Sequence, residues 1–457
     1  MELILSALFL VLNLVQYELG LNKYLFLAVS AVLFAALFYT SFKKTGNFLS
    51  SCLIMMCYTW QSSWINIFGE DTSSLQLPWF YVVGAMMALY AVYHFRSCFQ
   101  QTYSGRMMLI FMMLIIWIHF PLTDSRSFTE GLKNYIMIMF FVMLLFVTFL
   151  YHDTMSGENY EHFKSALIWS VVLTSAALIF QYVMYRYANI TLFKIEILPS
   201  FSGYQIGCQL LMEDHSSATV MLGVGVFYIM TRLNKKNWWY YGAALLIVVA
   251  SMAMTSRRTS TLTLIAVFAV FVMAHYKGMK VKLSLGLLAA AVAGLMLYFL
   301  LITRPVESLS QLFNDNGRFE NFADAFNVIK NNPLGIGLDD YELASKMENS
   351  MITPHNTTLR WLCLGGIPMG ILMLLVVAYS VLCAHRKKLA AEFWAVIYTL
   401  VASSFIPDIL SARFFVIICA APILTMQFRE GVVYERLSPV YGKKTARRLN
   451  RKKAGNQ

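Results

Sequence analysis

Charged residues are scarce in this sequence. They make up 13% of the 457 residues, whereas hydrophobic residues make up 58%, and the mean hydropathy is +0.60. Soluble domains carry about 25% charged residues, so this composition excludes an ordinary soluble protein. Apolar runs of roughly 17–25 residues recur along the chain, and such runs are long enough to cross a bilayer. The sequence therefore predicts an integral membrane protein without a soluble domain of ordinary size.

Metal-binding and disulfide motifs are missing as well. The seven cysteines fall mostly inside apolar runs, without a CxxC pair or histidines at ligand spacing, so we expect neither a zinc site nor a disulfide framework. The sequence also lacks an internal repeat and the inverted pair of broken helices that many transporters carry. Its N-terminal run has no basic stretch and no small-residue cleavage site, which favours a first spanning helix over a removed signal peptide.

Hydropathy predicts an all-α polytopic membrane protein with about 14 transmembrane helices, within a range of about 12–14. The predicted helices are residues 3–17, 24–42, 48–68, 78–95, 107–119, 132–151, 165–187, 216–231, 238–254, 258–276, 283–302, 357–384, 392–407 and 412–428. The predicted divisions are N-terminal transmembrane helices (1–187), an extracytoplasmic loop (188–215), transmembrane helices (216–302), a large extracytoplasmic loop with short helices (303–356), C-terminal transmembrane helices (357–428) and a basic cytoplasmic tail (429–457).

Lysine and arginine are distributed unevenly between the connections. Placing both termini in the cytoplasm puts most of the 36 Lys and Arg residues inside and most of the 24 Asp and Glu residues outside, as the positive-inside rule requires. Topology thus accounts for the net charge of +12, and we expect no nucleic-acid partner. The basic tail either attracts anionic membrane lipid or serves as a solvated anchor.

The large loop contains a stretch, GRFENFADAFNVIKNNPLGIG, that predicts an amphipathic helix over the outer mouth of the bundle. Its apolar residues follow helical spacing and form a stripe of Phe319, Phe322, Phe326 and Ile329. Its polar residues Glu320, Asp324 and Asn327 lie off that stripe, which is the pattern of a half-buried helix. A glycine turn follows and is expected to end the helix.

Two adjacent arginines stand between two apolar runs, in the segment TSRRTS. Arg257 and Arg258 open a predicted helix on the predicted outer side, where the positive-inside rule gives no reason for positive charge. Guanidinium groups bind phosphate oxygens in pairs, a hydroxyl such as that of Ser256 adds a donor, and a helix N-terminus favours an anion. The segment therefore predicts a phosphate site. The alternative is that the arginines only snorkel to lipid phosphates.

A histidine motif, PHNTTLR, precedes another predicted helix on the same side. A histidine with a near-neutral pKa can remove a proton from a sugar hydroxyl, which makes His355 a candidate base beside Asn356 and Arg360. A structural histidine with satisfied hydrogen bonds is the alternative.

Two more clusters lie at predicted outer turns. Glu213, Asp214 and His215 precede a predicted helix, where they either bind substrate or cap the first turn. Asp408 and Arg413 stand five residues apart, and an ion pair that fixes the turn is favoured there over ligand binding.

The arginine and histidine motifs together resemble the bacterial O-antigen ligase and O-antigen polymerase superfamily, whose members are polytopic membrane glycosyltransferases of the GT-C type. The resemblance covers roughly residues 201–371. Ser256-Arg257 resembles the family's Ser-Arg at a helix start. The stretch from Arg318 through FENFADAFNVIKNNPLGIGLDDY resembles the family's Arg followed by xxxWxxAxxxIxxxPLxGxGxxxY, although the usual tryptophan is replaced, with Phe322 nearby.

The histidine motif completes the resemblance. His355-Asn356 followed by Gly366 and Gly370 resembles the family's His-Asn and Gly-xx-Gly. The family often has NxxA where this chain has DHSSA, so His215 stands near the usual asparagine, and its role is open.

The resemblance implies a GT-C-like fold, a glycan donor on polyprenyl diphosphate, a glycan or lipid-linked acceptor, and no metal ion or cofactor. Arg257 would hold the diphosphate with Arg318 assisting, and His355 would act as the base or orient the acceptor in an inverting attack. Further residues expected to bind diphosphate or glycan are Arg258, Ser256, Asn356, Asp214, His215 and Arg360.

Four functions stay open at this point. We favour a polymerase that joins lipid-linked repeat units at the outer face of the bacterial cytoplasmic membrane, for an O-antigen, capsule or exopolysaccharide. The alternatives are a ligase that transfers the glycan to lipid A core, a flippase or other transporter of lipid-linked glycan, and a structural membrane scaffold. Expected partners besides donor and acceptor are membrane lipid and a chain-length regulator protein.

Overall fold

The computed structural model describes residues 1–20, 22–62, 67, 77–94, 113, 128–200, 203–212, 215–234, 236–255, 257–276, 279–303, 318–348, 353–406 and 414–426. Within these ranges the regular structure is helical except for one β-hairpin. The N-terminal helices are α1 (Glu2–Leu19), α2 (Lys23–Thr45), α3 (Phe48–Thr59), α4 (Trp79–Tyr93), α5 (Phe128–Leu150) and α6 (Gly157–Ala188). A single 3-10 turn, Trp60–Ser62, extends α3.

The second half of the chain begins with the hairpin, β1 (Lys194–Ser200) and β2 (Gly203–Leu210). The helices that follow are α7 (His215–Arg232), α8 (Trp238–Met254), α9 (Arg258–His275), α10 (Met279–Thr303), α11 (Arg318–Asn331), α12 (Asp340–Lys346), α13 (Thr357–Arg386), α14 (Ala390–Ser403) and α15 (Phe414–Leu424). Most bounds lie within a few residues of those predicted from hydropathy. The predicted helix at 107–119 falls outside the described residues apart from residue 113.

Local signals explain where the helices begin and end. Asn22, Asn47 and Asn356 each accept a hydrogen bond from a backbone N–H in the first turn of α2, α3 and α13, which satisfies donors that the helix itself cannot pair. Gly20 and Gly46 end α1 and α2 in the left-handed conformation, where glycine carries no steric penalty.

Several helices suit a membrane. Among the described residues, α1, α2, α6 and α13 are long and apolar enough to cross a bilayer, and seven shorter apolar helices accompany them. Exposed aliphatic and aromatic side chains such as Val32, Leu89 and Tyr93 are expected where lipid replaces water. Hydropathy thus predicted the class of protein correctly, while the count of about 14 spanning helices stays a prediction.

The hairpin was not predicted from the sequence, which indicated only a loop at 188–215. Its strands pair antiparallel, with Glu196 opposite Gly207. Gln181, fully buried on α6, forms hydrogen bonds with the backbone at the two ends of the hairpin. Its side-chain amide donates to the carbonyls of Leu192 (2.8 Å) and Lys194 (3.2 Å) and accepts from the Leu210 N–H at 3.2 Å. These bonds hold the hairpin on the helices.

The predicted apolar stripe of α11 is wrong in part. Phe319 and Phe326 are 73% and 61% exposed, while Asn321 and Asp324 are buried. Phe322 and Ile329 are partly buried against the core. The face turned to the protein is mixed: it buries Asn321 and Asp324 together with Ala325 and Val328, and Asn321 accepts the His355 N–H there.

Two glycines allow the loop after α11 to cross α13 at very short range. Gly335 and Gly366 have φ of +89° and +75°. A Cβ on Gly335 would lie 2.4 Å from the Leu364 carbonyl oxygen, and a Cβ on Gly366 would lie 2.4 Å from the Leu334 carbonyl carbon. The chain at Gly366 is not helical, so α13 is kinked there.

Backbone hydrogen bonds close this crossing. The N–H groups of Ile336 and Gly337 donate to the carbonyls of Cys363 and Leu364 at 3.0 and 3.1 Å, and the Ile367 N–H donates to the Pro333 carbonyl at 2.9 Å. The glycine turn and the glycines after the histidine, separate motifs in the sequence, therefore form one structural unit. This unit fixes α11 against the start of α13.

Candidate functional site

Three side chains predicted to carry chemistry converge in the structure. Arg257 precedes α9, Arg318 is the first residue of α11, and His355 lies just before α13. Burial lowers the pKa of His355, and the positive charges of Arg318 and Arg257 lower it further. The site is therefore assembled where three helices begin.

The turn that carries Arg257 is anchored on both sides. Before it, the hydroxyls of Thr219 on α7 and Thr255 lie 2.6 Å apart, and both residues are fully buried. After it, the buried Tyr398 hydroxyl of α14 donates to the Ser260 carbonyl at 3.2 Å. These contacts fix the turn that opens α9, whose N-terminal N–H groups favour an anion.

Arg257 contacts the hairpin. Its Nη2 lies 3.7 Å from Oε2 of Glu196 on β1, and the two side chains are 31% and 35% exposed. This distance is longer than a hydrogen bond between charged groups, which measures about 2.7–2.9 Å. The contact is thus a loose ion pair that leaves Arg257 accessible to solvent.

Arg318 bridges two elements of the site. Its Nη1 donates to the Thr259 hydroxyl in the first turn of α9, at 3.2 Å. Its guanidinium carbon also lies 5.8 Å from the centre of the Phe405 ring, a distance at which cations are attracted to the ring face. The start of α11 is thereby tied to the start of α9.

Asn321 holds the backbone of His355. The His355 N–H donates to Asn321 Oδ1 at 2.9 Å, and Asn321 is only 1% exposed. Sequence patterns did not single out this asparagine, because it lies off the predicted apolar stripe and outside the recognised motif positions. The only signal in the sequence was a polar residue three positions after the motif arginine.

The environment of His355 favours its neutral form. Burial is the largest cause of its lowered pKa, followed by the charges of Arg318 and Arg257, while a hydrogen bond with the Thr353 backbone acts in the opposite direction. Desolvation and neighbouring positive charge both disfavour an imidazolium ion. A neutral imidazole at neutral pH can accept a proton.

Asn356 and Arg360 have structural partners. Asn356 caps α13, since its Oδ1 accepts the Leu359 N–H at 3.0 Å. Arg360 is 6% exposed and pairs with Asp340 of α12 through Nε at 3.0 Å and Nη2 at 2.6 Å. Asn134 of α5 donates to the same carboxylate at 3.2 Å. Substrate binding by Arg360 stays a prediction, and this geometry favours a bracing role.

Other predicted site residues lack described side chains. Ser256, Glu213, Asp214, Asp408 and Arg413 lie outside the described residues, and only the backbone of Arg258 and His215 is described. Their predicted roles stay predictions. Among the described side chains, no group of three or more His, Cys, Asp or Glu is placed to hold a metal ion.

The helices and this polar centre define a membrane-integral protein with a cationic site at the ends of its helices. Residues 243–374 match the protein family described as O-antigen ligase. The match supports the resemblance to the O-antigen polymerase and ligase superfamily that the motifs predict, and members of this family are glycosyltransferase-like enzymes. The matched segment includes Arg257, Arg318, His355 and both crossing glycines, whereas Glu196 lies outside it. A comparison with curated proteins found no match.

Proposed function

We propose that the protein transfers a glycan from polyprenyl diphosphate to an acceptor hydroxyl, as a polymerase of lipid-linked repeat units. The observation that carries this proposal is the joining of three helix starts: Arg318 donates to Thr259, two residues after Arg257, at 3.2 Å, and Asn321, on the helix that Arg318 opens, accepts the His355 N–H at 2.9 Å. Arginine binds phosphate oxygens bidentately, and a neutral histidine suits proton removal. One site therefore combines groups for the leaving diphosphate with a group for the acceptor.

In the proposed reaction, the oxygen of the acceptor hydroxyl attacks the anomeric carbon of the donor glycan, and His355 takes the proton of that hydroxyl. The bond from this carbon to the phosphate oxygen breaks on the opposite face, and its electron pair leaves with the diphosphate. Arg257 and Arg318 stabilise the negative charge that develops there. The transfer inverts the anomeric configuration.

The site is proposed to face the outside of the cytoplasmic membrane. The long helix α13 starts at the site, beside Asn356, and ends at the basic residues Arg386, Lys387 and Lys388. Glu2, at the start of α1, pairs with Lys44 near the C-terminal end of α2 and with His162 near the N-terminal end of α6. Basic connections at the end remote from the site support a cytoplasmic location for that end, by the positive-inside rule.

A ligase is the second candidate, because the matched family is described as O-antigen ligase. Both functions use the same donor chemistry and differ in the acceptor. Acceptor pockets lie in variable loops, so the shared motifs do not separate the two. The partnership with a chain-length regulator stays a prediction.

Purified protein mixed with a polyprenyl-diphosphate-linked repeat unit tests these functions. We expect a ladder of longer lipid-linked products from the repeat unit alone. Product formation only after lipid A core is added would indicate the ligase. In proteoliposomes, movement of the lipid-linked unit across the membrane without a new glycosidic bond would contradict both and indicate a transporter.

A further inference from the structure

The hairpin brings a carboxylate to the candidate phosphate site. Glu196 lies on β1, paired with Gly207 of β2, and the strand is tied to α6 through Gln181. Its position on the strand is therefore set by the fold, and its side chain contacts Arg257. A negative charge next to the guanidinium competes with any anion that binds there.

The contact is suited to replacement by a ligand. At 3.7 Å, with both side chains about one third exposed, the pair is longer than a direct charged hydrogen bond, and such pairs contribute little. A diphosphate carries more negative charge than one carboxylate and can bind a guanidinium through two oxygens. It can therefore displace Glu196 from Arg257.

The Glu196–Arg257 contact also partly neutralises the positive charge of the site. Arg257 and Arg318 both act electrostatically on His355, so the site concentrates positive charge. The nearby Glu196 carboxylate reduces the repulsion between these positive charges. It also disfavours weakly charged anions, which compete with the carboxylate less effectively than a diphosphate does.

We propose that Glu196 is a displaceable counter-ion of Arg257 that sets the affinity of the site for diphosphate-bearing lipids. This inference rests on the proposed function, because it takes Arg257 to bind the donor diphosphate. Binding breaks the Glu196–Arg257 contact and replaces it with contacts to phosphate oxygens. Glu196 is thus a specificity-determining residue, and the hairpin is the element that positions it.

Affinity for farnesyl diphosphate, a soluble short-chain polyprenyl diphosphate, tests the proposal. Calorimetric titration of the full chain in detergent compares wild type with Glu196→Gln, which keeps shape but removes charge. We expect about two- to fivefold tighter binding by Glu196→Gln, the range that partly exposed ion pairs provide, with the difference shrinking as salt rises. Glu196→Asp, which moves the carboxylate away from Arg257, should give a smaller gain.

Two controls separate the possible outcomes. Glu342→Gln removes a carboxylate that pairs with Lys346 at 2.9 Å and should leave affinity unchanged. In an Arg257→Gln background, Glu196→Gln should add little affinity, because the contact between residues 196 and 257 is already removed. Equal binding by wild type and Glu196→Gln would overturn the inference while leaving the donor site intact. An equal gain in both backgrounds would also overturn it.

Failure of the proposed function would look different. If no variant bound the probe, wild type included, the diphosphate site itself would be refuted together with this inference. If the charge effect on binding held but no glycan were transferred, the proposed function would fail and the role of Glu196 would stand. Melting temperatures of all variants within a few degrees of wild type would show that the comparison concerns folded protein.

Discussion

Replacement of Asn321 by alanine tests how the fold positions the candidate base. Asn321 Oδ1 accepts the His355 N–H at 2.9 Å, and the asparagine is 1% exposed. Alanine would leave that N–H without this acceptor, which costs about 1–3 kcal/mol of stability. If His355 moves by about 1 Å as a result, transfer should fall by roughly 100-fold.

The assay is the rate of glycan transfer per folded molecule, measured in proteoliposomes alongside the melting temperature. The matched control is Asn327→Ala, because Asn327 lies on the same helix but is exposed, and it should behave like wild type. Asn321→Asp keeps an acceptor oxygen in place and should recover most of the rate.

Asn321→Asp has a second consequence that a merely structural role would not produce. A carboxylate close to His355 favours the imidazolium ion and raises its pKa, so the acid limb of the pH–rate profile should move to higher pH. A wild-type rate in Asn321→Ala, or an unshifted limb in Asn321→Asp, would refute the positioning role.

Three further predictions concern pH, the glycine crossing and the ion pair of Arg360 with Asp340. Transfer should persist below pH 6.5, the ordinary pKa of histidine, and fall as pH drops through the lowered pKa of His355. In Arg318→Gln the residual activity should show this fall at higher pH. Identical pH–rate profiles for wild type and variant would contradict the electrostatic argument. Gly366→Ala should destabilise the protein by at least about 1–3 kcal/mol, because of the positive φ and because the added Cβ would lie 2.4 Å from the Leu334 carbonyl carbon. The control Gly242→Ala, with no atom within 4 Å of the added Cβ, should raise the melting temperature slightly. Equal melting temperatures of the two variants would rule out the close crossing. Arg360→Ala should cost about 1.5–3 kcal/mol, as expected for losing hydrogen bonds to a charged group, against at most about 1 kcal/mol for Lys346→Ala in a more exposed pair. A similar loss in both would count against the bracing role.

Hydropathy predicted the helices well because a spanning helix needs only a local run of apolar residues. The bounds of α8, Trp238–Met254, agree with the prediction to the residue. The family motifs also predicted Arg257, Arg318 and His355 as site residues, and these roles stay predictions. The convergence of these residues could not be predicted, since it depends on how α9, α11 and α13 pack, and periodicity carries no information on packing between distant segments.

The features that sequence patterns missed depend on contacts between distant residues. The approach of Gly335 to Gly366 joins positions that are far apart in sequence, and only the fold shows why both need glycine. The orientation of α11 was mispredicted because its buried face includes Asn321, which accepts the His355 N–H, and the small apolar residues Ala325 and Val328, a mixture that a search for a large apolar stripe does not find. Glu196 was missed because residues 188–215 were interpreted as a loop, although Ile195 and Ile197 alternate in β1 and Tyr204, Ile206, Cys208 and Leu210 alternate with glutamine and glycine in β2.

The most direct test of the proposed function is the release of polyprenyl diphosphate from a labelled lipid-linked repeat unit in a single turnover. The wild-type protein should release it together with a lengthened glycan, whereas His355→Ala and Arg257→Ala should release little or none while still inserting into the membrane with unchanged melting behaviour. Wild-type rates of release in either variant would contradict the proposed site.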